Sequence, residues 1–319
     1  MKVFITGASG FLGKRIVKKL KEEGHYLSGI ARSESSEKVL AEIGVSPVSG
    51  SLSDISNWSS KLSGMDAVVH CAAPVEFWGP WTKFENEIFN PTVELLGASE
   101  KAGVKRFVYI SSESVLQDKK DLVDADENEP YPQSPNSYYG RAKMMSEKAI
   151  CAFDGNIKST ILRPPFIWGK DMPGLESILD KVKSKDFMWV DHGAALIETV
   201  HVDNVAHSVA LSLDHETETG IYFVTDDKPQ TIHQFLTKLV NTRNMTLPEK
   251  NIPKGLAAVA AVIMEGIWKL FQIKTGPPFS RFEYSFVGMP RSFDISKIKT
   301  DLKYEPVVSE EKGLKSMRS

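Results

Sequence analysis

Cysteine is scarce in this sequence: Cys71 and Cys151 are the only two in 319 residues. Two thiols so far apart exclude a disulfide-scaffolded fold and suit free cysteines in a reducing compartment. Charge of one sign is lacking as well, since 39 Lys plus Arg face 41 Asp plus Glu. That balance removes the overall electrostatic footprint of a nucleic-acid or acidic-membrane binder and favours a small-molecule partner. The first residues carry no apolar stretch or cleavage pattern of a secretory signal, so a cytoplasmic location is expected. No metal-ligand spacing is found, His201 and His207 included, and no metal is expected. One longer apolar segment exists, 252–273, but Lys254, Glu265 and Lys269 interrupt it. It is too broken to span a membrane and reads as a lid or buried helix, or as an interfacial helix making weak membrane contact.

What is present begins with Thr6-Gly7-Ala8-Ser9-Gly10-Phe11-Leu12-Gly13, between an apolar run at 2–5 and an amphipathic stretch starting at Phe11. Strand, glycine loop and helix start make either a phosphate cradle or a tight turn. Glycine lacks the Cβ that would keep a phosphate off the loop amides, and a helix N-terminus carries partial positive charge. Leu12, Ile16, Val17 and Leu20 follow at helical spacing, and apolar runs at 26–31, 45–48, 67–70 and 106–111 read as strands. The alternation predicts an α/β fold, a doubly wound parallel sheet with helices on both faces. Also expected are a polar helix before Ala67, a long helix over 84–101 and a charged, proline-rich surface loop over 118–135. A further helix, over 138–153, would be capped by Asn136 or Ser137.

In an open parallel sheet the ligand crevice lies beyond the carboxyl ends of the strands. Arg32 stands there, where an acidic residue would hold an adenosine ribose. Its planar fork matches a 2′-phosphate and favours NADP over NAD; the alternative is a solvated surface arginine. Ser51 and Leu52 follow another strand, at an adenine edge or in an ordinary loop. Cys71, Ala72 and Ala73 are small enough for a cofactor to lie against their backbone, whereas His70 reads as a packed structural histidine. Ser112 closes the fifth strand, as a ligand contact or a turn residue. Tyr139 and Lys143 are four apart and share a helix face, so the ammonium would favour the ionised phenol, while Tyr138 points away.

TGASGFLG at the first turn, HCAA after the fourth strand, Ser112 after the fifth, YGRAK on the next helix and LRPPFIWG beyond it resemble, in that order, the extended short-chain dehydrogenase/reductase superfamily. LRPPFIWG with His201-Val202-Asp203-Asn204-Val205-Ala206 is similar to its 3β-hydroxysteroid dehydrogenase-like branch. Leu302-Lys303-Tyr304-Glu305-Pro306 and Gly313-Leu314 resemble the superfamily's ending. The resemblance implies a Rossmann-type NAD(P)-binding domain over 1–163, with 200–226 returning to it. A smaller substrate-binding region would come mainly from 164–199 and 227–319. Tyr139 would move the proton, Lys143 would lower its pKa and hold the nicotinamide ribose, and Ser112 would hydrogen-bond the substrate oxygen. Gly7, Ser9, Gly10, Phe11, Leu12 and Gly13 would cradle the pyrophosphate, Asn90 would help order the site, and Pro164, Phe166 and Ile167 would line the nicotinamide. A homodimer through 84–101 and 138–153 is implied too. Two departures stand out. Glu113 is followed by Ser114, so the acidic pair of the superfamily's sugar-nucleotide dehydratases is incomplete, and Ser51 replaces the usual aspartate of the adenine loop.

The proline-bounded loop from Pro74 through Val75 to Trp81 puts Phe77, Trp78 and Trp81 just past the crevice. Phe166, Trp168 and Trp189 join them, as pocket or as core. Aromatic rings beside a hydride site fit an apolar substrate, with Glu113 at its edge. The segment 201–213 reads as a helix capped by Asp203, with Asp203 and Asn204 structural. The expected function is an NADP-dependent oxidoreductase, with NAD as the alternative. It would interconvert a secondary alcohol and a ketone on a sterol-like or β-keto lipid-like substrate. One rival is a sugar-nucleotide epimerase of the same superfamily, which would use Arg281 and Arg291 for the pyrophosphate; the other is a non-catalytic NADP-sensing protein.

Overall fold

The structure is a computed structural model that describes residues 1–74, 76–215 and 218–318; Val75 of the aromatic loop lies outside the described residues. The first strand, β1 (Lys2–Thr6), is buried from Val3 to Thr6. It runs through the glycine loop into α1 (Phe11–Glu22), which buries Ile16, Val17 and Leu20 at the predicted spacing. Next come β2 (Tyr26–Ala31), α2 (Glu34–Glu42), β3 (Ser46–Ser49), β4 (Ala67–His70), α3 (Trp81–Phe84), α4 (Asn90–Lys101), β5 (Arg106–Ile110), β6 (Leu122–Ala125), α5 (Tyr138–Cys151) and β7 (Lys158–Arg163). Seven strands form one sheet in the order Gly220–Phe223, β7, β5, β4, β1, β2, β3. Every neighbouring pair in it is parallel. The chain moves outward from β1 in one direction to β3 and in the other through β4 and β5. The carboxyl ends of β1 and β4 therefore flank the switch point where a Rossmann-type sheet opens its crevice.

Several local expectations change. The polar helix before Ala67 is two short 3-10 turns, Ile55–Asn57 and Ser59–Leu62, held down by buried Ile55, Trp58 and Leu62. The helix expected over 84–101 starts earlier, at Trp81, and is interrupted by a π turn, Glu85–Phe89, immediately before Asn90. The 118–135 stretch is not simply a surface loop. Its Leu122 and Ala125 are buried, and β6 pairs in parallel with Arg291–Phe293 in a second sheet of four short strands. Flanking charges at Lys119, Lys120 and Asp121 hid a strand only four residues long.

The helix expected over 201–213 is Val202–Asp214, and its cap is His201, whose Nδ1 accepts from the Asp203 amide at 3.2 Å. Asp203 instead faces Arg15. The C-terminal part of the chain does more than line a substrate region. Phe293, Ile295, Ile298, Leu302 and Tyr304 enter the main core beside Val205, Val209 and Phe223.

Candidate active site

The glycine loop is shaped by close backbone approach. Gly7 has φ +76°, and a Cβ there would stand 2.8 Å from the Ala72 nitrogen; a Cβ on Gly13 would stand 2.0 Å from the Gly7 carbonyl oxygen. Gly10 caps α1 without a side-chain hydrogen bond, and no acidic residue occupies the first turn. The first amides of α1 are thus left for an external acceptor, which fits a pyrophosphate. Ala72 and Cys71 form the facing wall. Cys71 Sγ donates to the Thr6 carbonyl at 2.9 Å, and burial pushes its thiol up to about 12. His70 bridges Thr6 Oγ1 at 2.7 Å and Thr92 Oγ1 at 3.1 Å, and burial, then the nearby Lys143 charge, lowers it to about 3. It is a neutral structural residue.

Arg32 is exposed at the end of β2, beside the N-terminus of α2. Ser33 caps that helix, and its hydroxyl lies 2.9 Å from that of Ser35. Ser51 and Leu52 follow β3. The Ser51 carbonyl accepts from Trp58 Nε1 at 2.8 Å, and Leu52 packs partly on the core beneath.

Ser112 follows β5 and accepts from the Ser114 amide at 3.2 Å. Ser137 caps α5 by accepting from the Gly140 amide. A Cβ on Gly140 would come within 2.5 Å of the Ser114 carbonyl, so only glycine lets α5 dock on the Ser112 turn. That docking brings the Ser112 hydroxyl close enough to the Tyr139 phenol to act on its ionisation. One turn on, Lys143 is buried and donates from Nζ to the Ile110 carbonyl at 2.7 Å, over the ring of Tyr109. Burial lowers Lys143 to about 8, against the opposing pull of Glu147.

One electrostatic expectation is overturned. The Tyr139 phenol is held above its ordinary value, first by burial and then by the Glu113 carboxylate, with only the nearby Ser112 hydroxyl acting the other way. Lys143, donating from Nζ to the Ile110 carbonyl, stands 5.9 Å from the Tyr139 ring centroid.

The substrate-side residues separate. Phe77 stands edge-on to Tyr139 at 5.0 Å and stacks on Phe282 at 4.5 Å. Trp78 donates to the Ile273 carbonyl at 3.2 Å, and Trp81 turns to Arg141 and Tyr138. Trp168 is a correction: it is fully buried, bonded to Asp226 at 2.8 Å and packed on His201 and Phe235, so it is core. Trp189 likewise packs on Phe187 and His233. Glu113 is no free substrate contact either. Arg291 Nη1 holds one of its oxygens at 3.0 Å and Gln117 Nε2 the other at 2.7 Å.

Phe166 meets Phe235 and Phe286 and shares a core cluster with Phe11; Ile167 pairs with Val200, and the Pro164 carbonyl accepts from the Glu113 amide. Asn90 is exposed and donates to Asn86. Sequence reasoning missed Phe282, Gln117 and the Glu113–Arg291 pair. Only the helical spacing of Phe282 and Phe286 hinted at the wall they form.

The profile of the 3-beta hydroxysteroid dehydrogenase/isomerase family matches residues 4–254. A 4-hydroxy-2-methyl-3-oxo-4-farnesyl-3,4-dihydroquinoline-1-oxide ketoreductase of Stigmatella aurantiaca is 29% identical over 100% of this chain and 96% of its own. A decarboxylating sterol-4-alpha-carboxylate 3-dehydrogenase of Dictyostelium discoideum is 28% identical over 94% of each. Among solved structures, the UDP-glucose 4-epimerase of Thermotoga maritima with UDP-glucose superposes with a TM-score of 0.76 at 20% identity, over 99% of this chain and 97% of that one. At that identity the likeness speaks for the fold alone.

Proposed function

The chain belongs to the 3-beta hydroxysteroid dehydrogenase/isomerase family and so to the short-chain dehydrogenase/reductases, enzymes that act on CH–OH groups; from that premise we propose that it interconverts a secondary alcohol and a ketone on an apolar, sterol-like or β-keto lipid-like substrate, using NADP. The observation that carries the reading is the Tyr139 phenol, with the Ser112 hydroxyl near it and Phe77 and Phe282 as its walls. A bound nicotinamide supplies or accepts the hydride. Tyr139 gives its proton to the substrate oxygen, or takes it back, and Ser112 hydrogen-bonds the same oxygen as charge develops on it. Lys143 presents its ammonium from below the pair. The aromatic walls exclude water and favour an apolar ring or chain over a sugar.

Two arginines bear on the rival reading. Arg281 is bound to Glu265 at 2.9 Å through Nε, and Arg291 to Glu113. Arg291, which is buried and also donates from Nη2 to the Phe286 carbonyl, is not free to hold the pyrophosphate of a sugar nucleotide. A panel of sterols, β-keto acids and sugar nucleotides, read at the nicotinamide absorbance, should show turnover of the hydrophobic ketones or alcohols and none of the sugar nucleotides. The opposite pattern would reverse the assignment.

The cofactor preference rests on Arg32, exposed beside the Ser33 and Ser35 hydroxyls at a helix start. Titration of the purified chain should give tighter binding of NADPH than of NADH. Arg32→Asp should weaken NADPH by roughly 10- to 100-fold, the worth of a charge-assisted hydrogen bond, and spare NADH. Tighter NADH binding by the unmodified chain would refute the assignment.

A further inference from the structure

The aromatic wall beside Tyr139 has one anchored ring and one loose one. Phe282 stands on the helix Arg281–Gly288, which is fastened at both ends. At its start Ser280 caps it, and the Arg281 amide and Nε both donate to Glu265, at 2.7 and 2.9 Å. Toward its end the Ser285 hydroxyl lies 3.2 Å from Gln117 Oε1, and Gln117 Nε2 donates to Glu113 at 2.7 Å. Arg291 closes the loop of contacts, donating from Nη1 to Glu113 at 3.0 Å and from Nη2 to the Phe286 carbonyl at 2.7 Å. Glu113, Gln117, Ser285 and Arg291 are all buried. A ring carried on so constrained a helix keeps its place.

Phe77 is held by much less. It is 45% exposed on the loop between β4 and α3, and among the described residues no backbone hydrogen bond holds it. Its ring stacks on Phe282 at 4.5 Å, with the planes 21° apart, and stands edge-on to Tyr139 at 5.0 Å. Tyr139 and Phe282 are in turn 6.5 Å apart, so the rings close a triangle that excludes water from the phenol and leaves no gap for a ligand. The loop itself is tied by the next residue, Trp78, through Nε1 to the Ile273 carbonyl. Phe77 therefore yields by turning its side chain, a motion that exposed side chains make within nanoseconds.

We propose that the face of Phe282 is a stacking subsite for a ring of the substrate, and that Phe77 occupies it until the substrate displaces it. The contact that Phe77 makes gives the ligand its shape. A ring that replaces it on Phe282 lies directly beside the Tyr139 phenol. That placement favours a ketone or alcohol whose oxygen is carried on the stacked ring, and disfavours one whose oxygen lies along an open chain. A flat ring recovers the stack that the departure of Phe77 gives up, whereas a flexible chain covers the Phe282 face poorly. Phe282 is then the residue that selects ring over chain. The proposal deepens the apolar-substrate reading and rests on it.

The test compares decalone, a bicyclic ketone, with decanone, the open-chain ketone of equal carbon number. Binding to the full chain is read by titration calorimetry with NADP⁺ present, so that no reduction accompanies it, and turnover is read separately with NADPH. The unmodified chain should bind decalone at least about threefold more tightly than decanone. Phe282→Leu keeps an apolar side chain but loses the flat face. It should weaken decalone by a few-fold to about tenfold, the worth of one aromatic stack, and decanone by less than about twofold. Phe282→Tyr should restore decalone binding. Phe77→Ala should tighten decalone by a similar factor, because nothing then has to leave; it changes an exposed side chain and reads the subsite even where Phe282→Leu melts early. In turnover the changes should fall on KM more than on kcat. Equal weakening of both ketones by Phe282→Leu, or looser decalone binding by Phe77→Ala, overturns the proposal. The expected binding pattern without any turnover would sustain the subsite and sink the oxidoreductase reading, and turnover without ring selectivity would do the reverse.

Discussion

Tyr139→Phe should lower kcat by about 10²- to 10⁴-fold, the range of a positioned general acid or base, and leave NADPH affinity within about twofold. Tyr138→Phe should change either quantity by less than about twofold. The contrast follows from one step of helix rotation. The Tyr139 phenol meets the Ser112 hydroxyl and lies under the Glu113 field, whereas Tyr138 is exposed, edge-on to Trp81 and near Lys269. Phenylalanine at 139 keeps the ring that packs on Phe77 and Phe282, so the loss reads the hydroxyl and not the fold. Burial and Glu113 hold the phenol protonated at neutral pH, which suits proton donation to a ketone oxygen. Oxidation starts from the ionised phenol, so the alcohol-oxidising rate should rise with pH while ketone reduction does not. Stopped assays of both directions on the two variants check this. Equal losses at 138 and 139 would move the reacting hydroxyl elsewhere.

What could be read without coordinates was local. Thr6 to Gly13 exposed its geometry because a loop that crowds Gly13 against the Gly7 carbonyl tolerates few other residues. Tyr139 and Lys143 share a face of α5 because the helical period puts every fourth residue there. The parallel sheet followed from alternating strand and helix patterns, which depend on neighbours in sequence. The misreadings that bear on the site were long-range. Glu113 meets Arg291 across 178 positions, and Phe77 meets Phe282 from a comparably distant stretch of the chain. Burial reversed the expected shift of the Tyr139 phenol, and no spacing rule measures burial. Trp168 had the composition of a pocket residue, yet Asp226 satisfies its indole N–H in the core. The 252–273 segment has the apolar content of a buried helix, and only packing shows how little of it is covered.

Glu147→Gln should cost about 3–5 kcal/mol of stability, a large share of the roughly 5–15 kcal/mol that folded domains possess. Glu147 lies on the face of α5 one turn past Lys143 and is fully buried. Arg163 Nε reaches both its oxygens at 3.1 Å and Nη2 one of them at 2.7 Å, and the Tyr131 hydroxyl donates at 2.7 Å. Removing the carboxylate charge leaves a buried guanidinium with no compensation, the costly way to break such a pair. Replacing both partners, Glu147→Leu with Arg163→Met, removes both charges together and should recover most of the loss in a thermal melt. The catalytic consequence should persist in that double variant. Glu147 is the strongest influence raising Lys143 against its burial, which already brings the lysine to about 8. Without the carboxylate, Lys143 falls further, and the fraction that is charged at a given pH falls with it. The pH–rate profile of the double variant should therefore lose its alkaline limb at lower pH than the unmodified chain, although the protein melts normally. A profile that recovers together with stability would make Glu147 a packing element alone; a recovered melt with a displaced limb makes it the residue that sets the charge of Lys143 near the Tyr139 phenol.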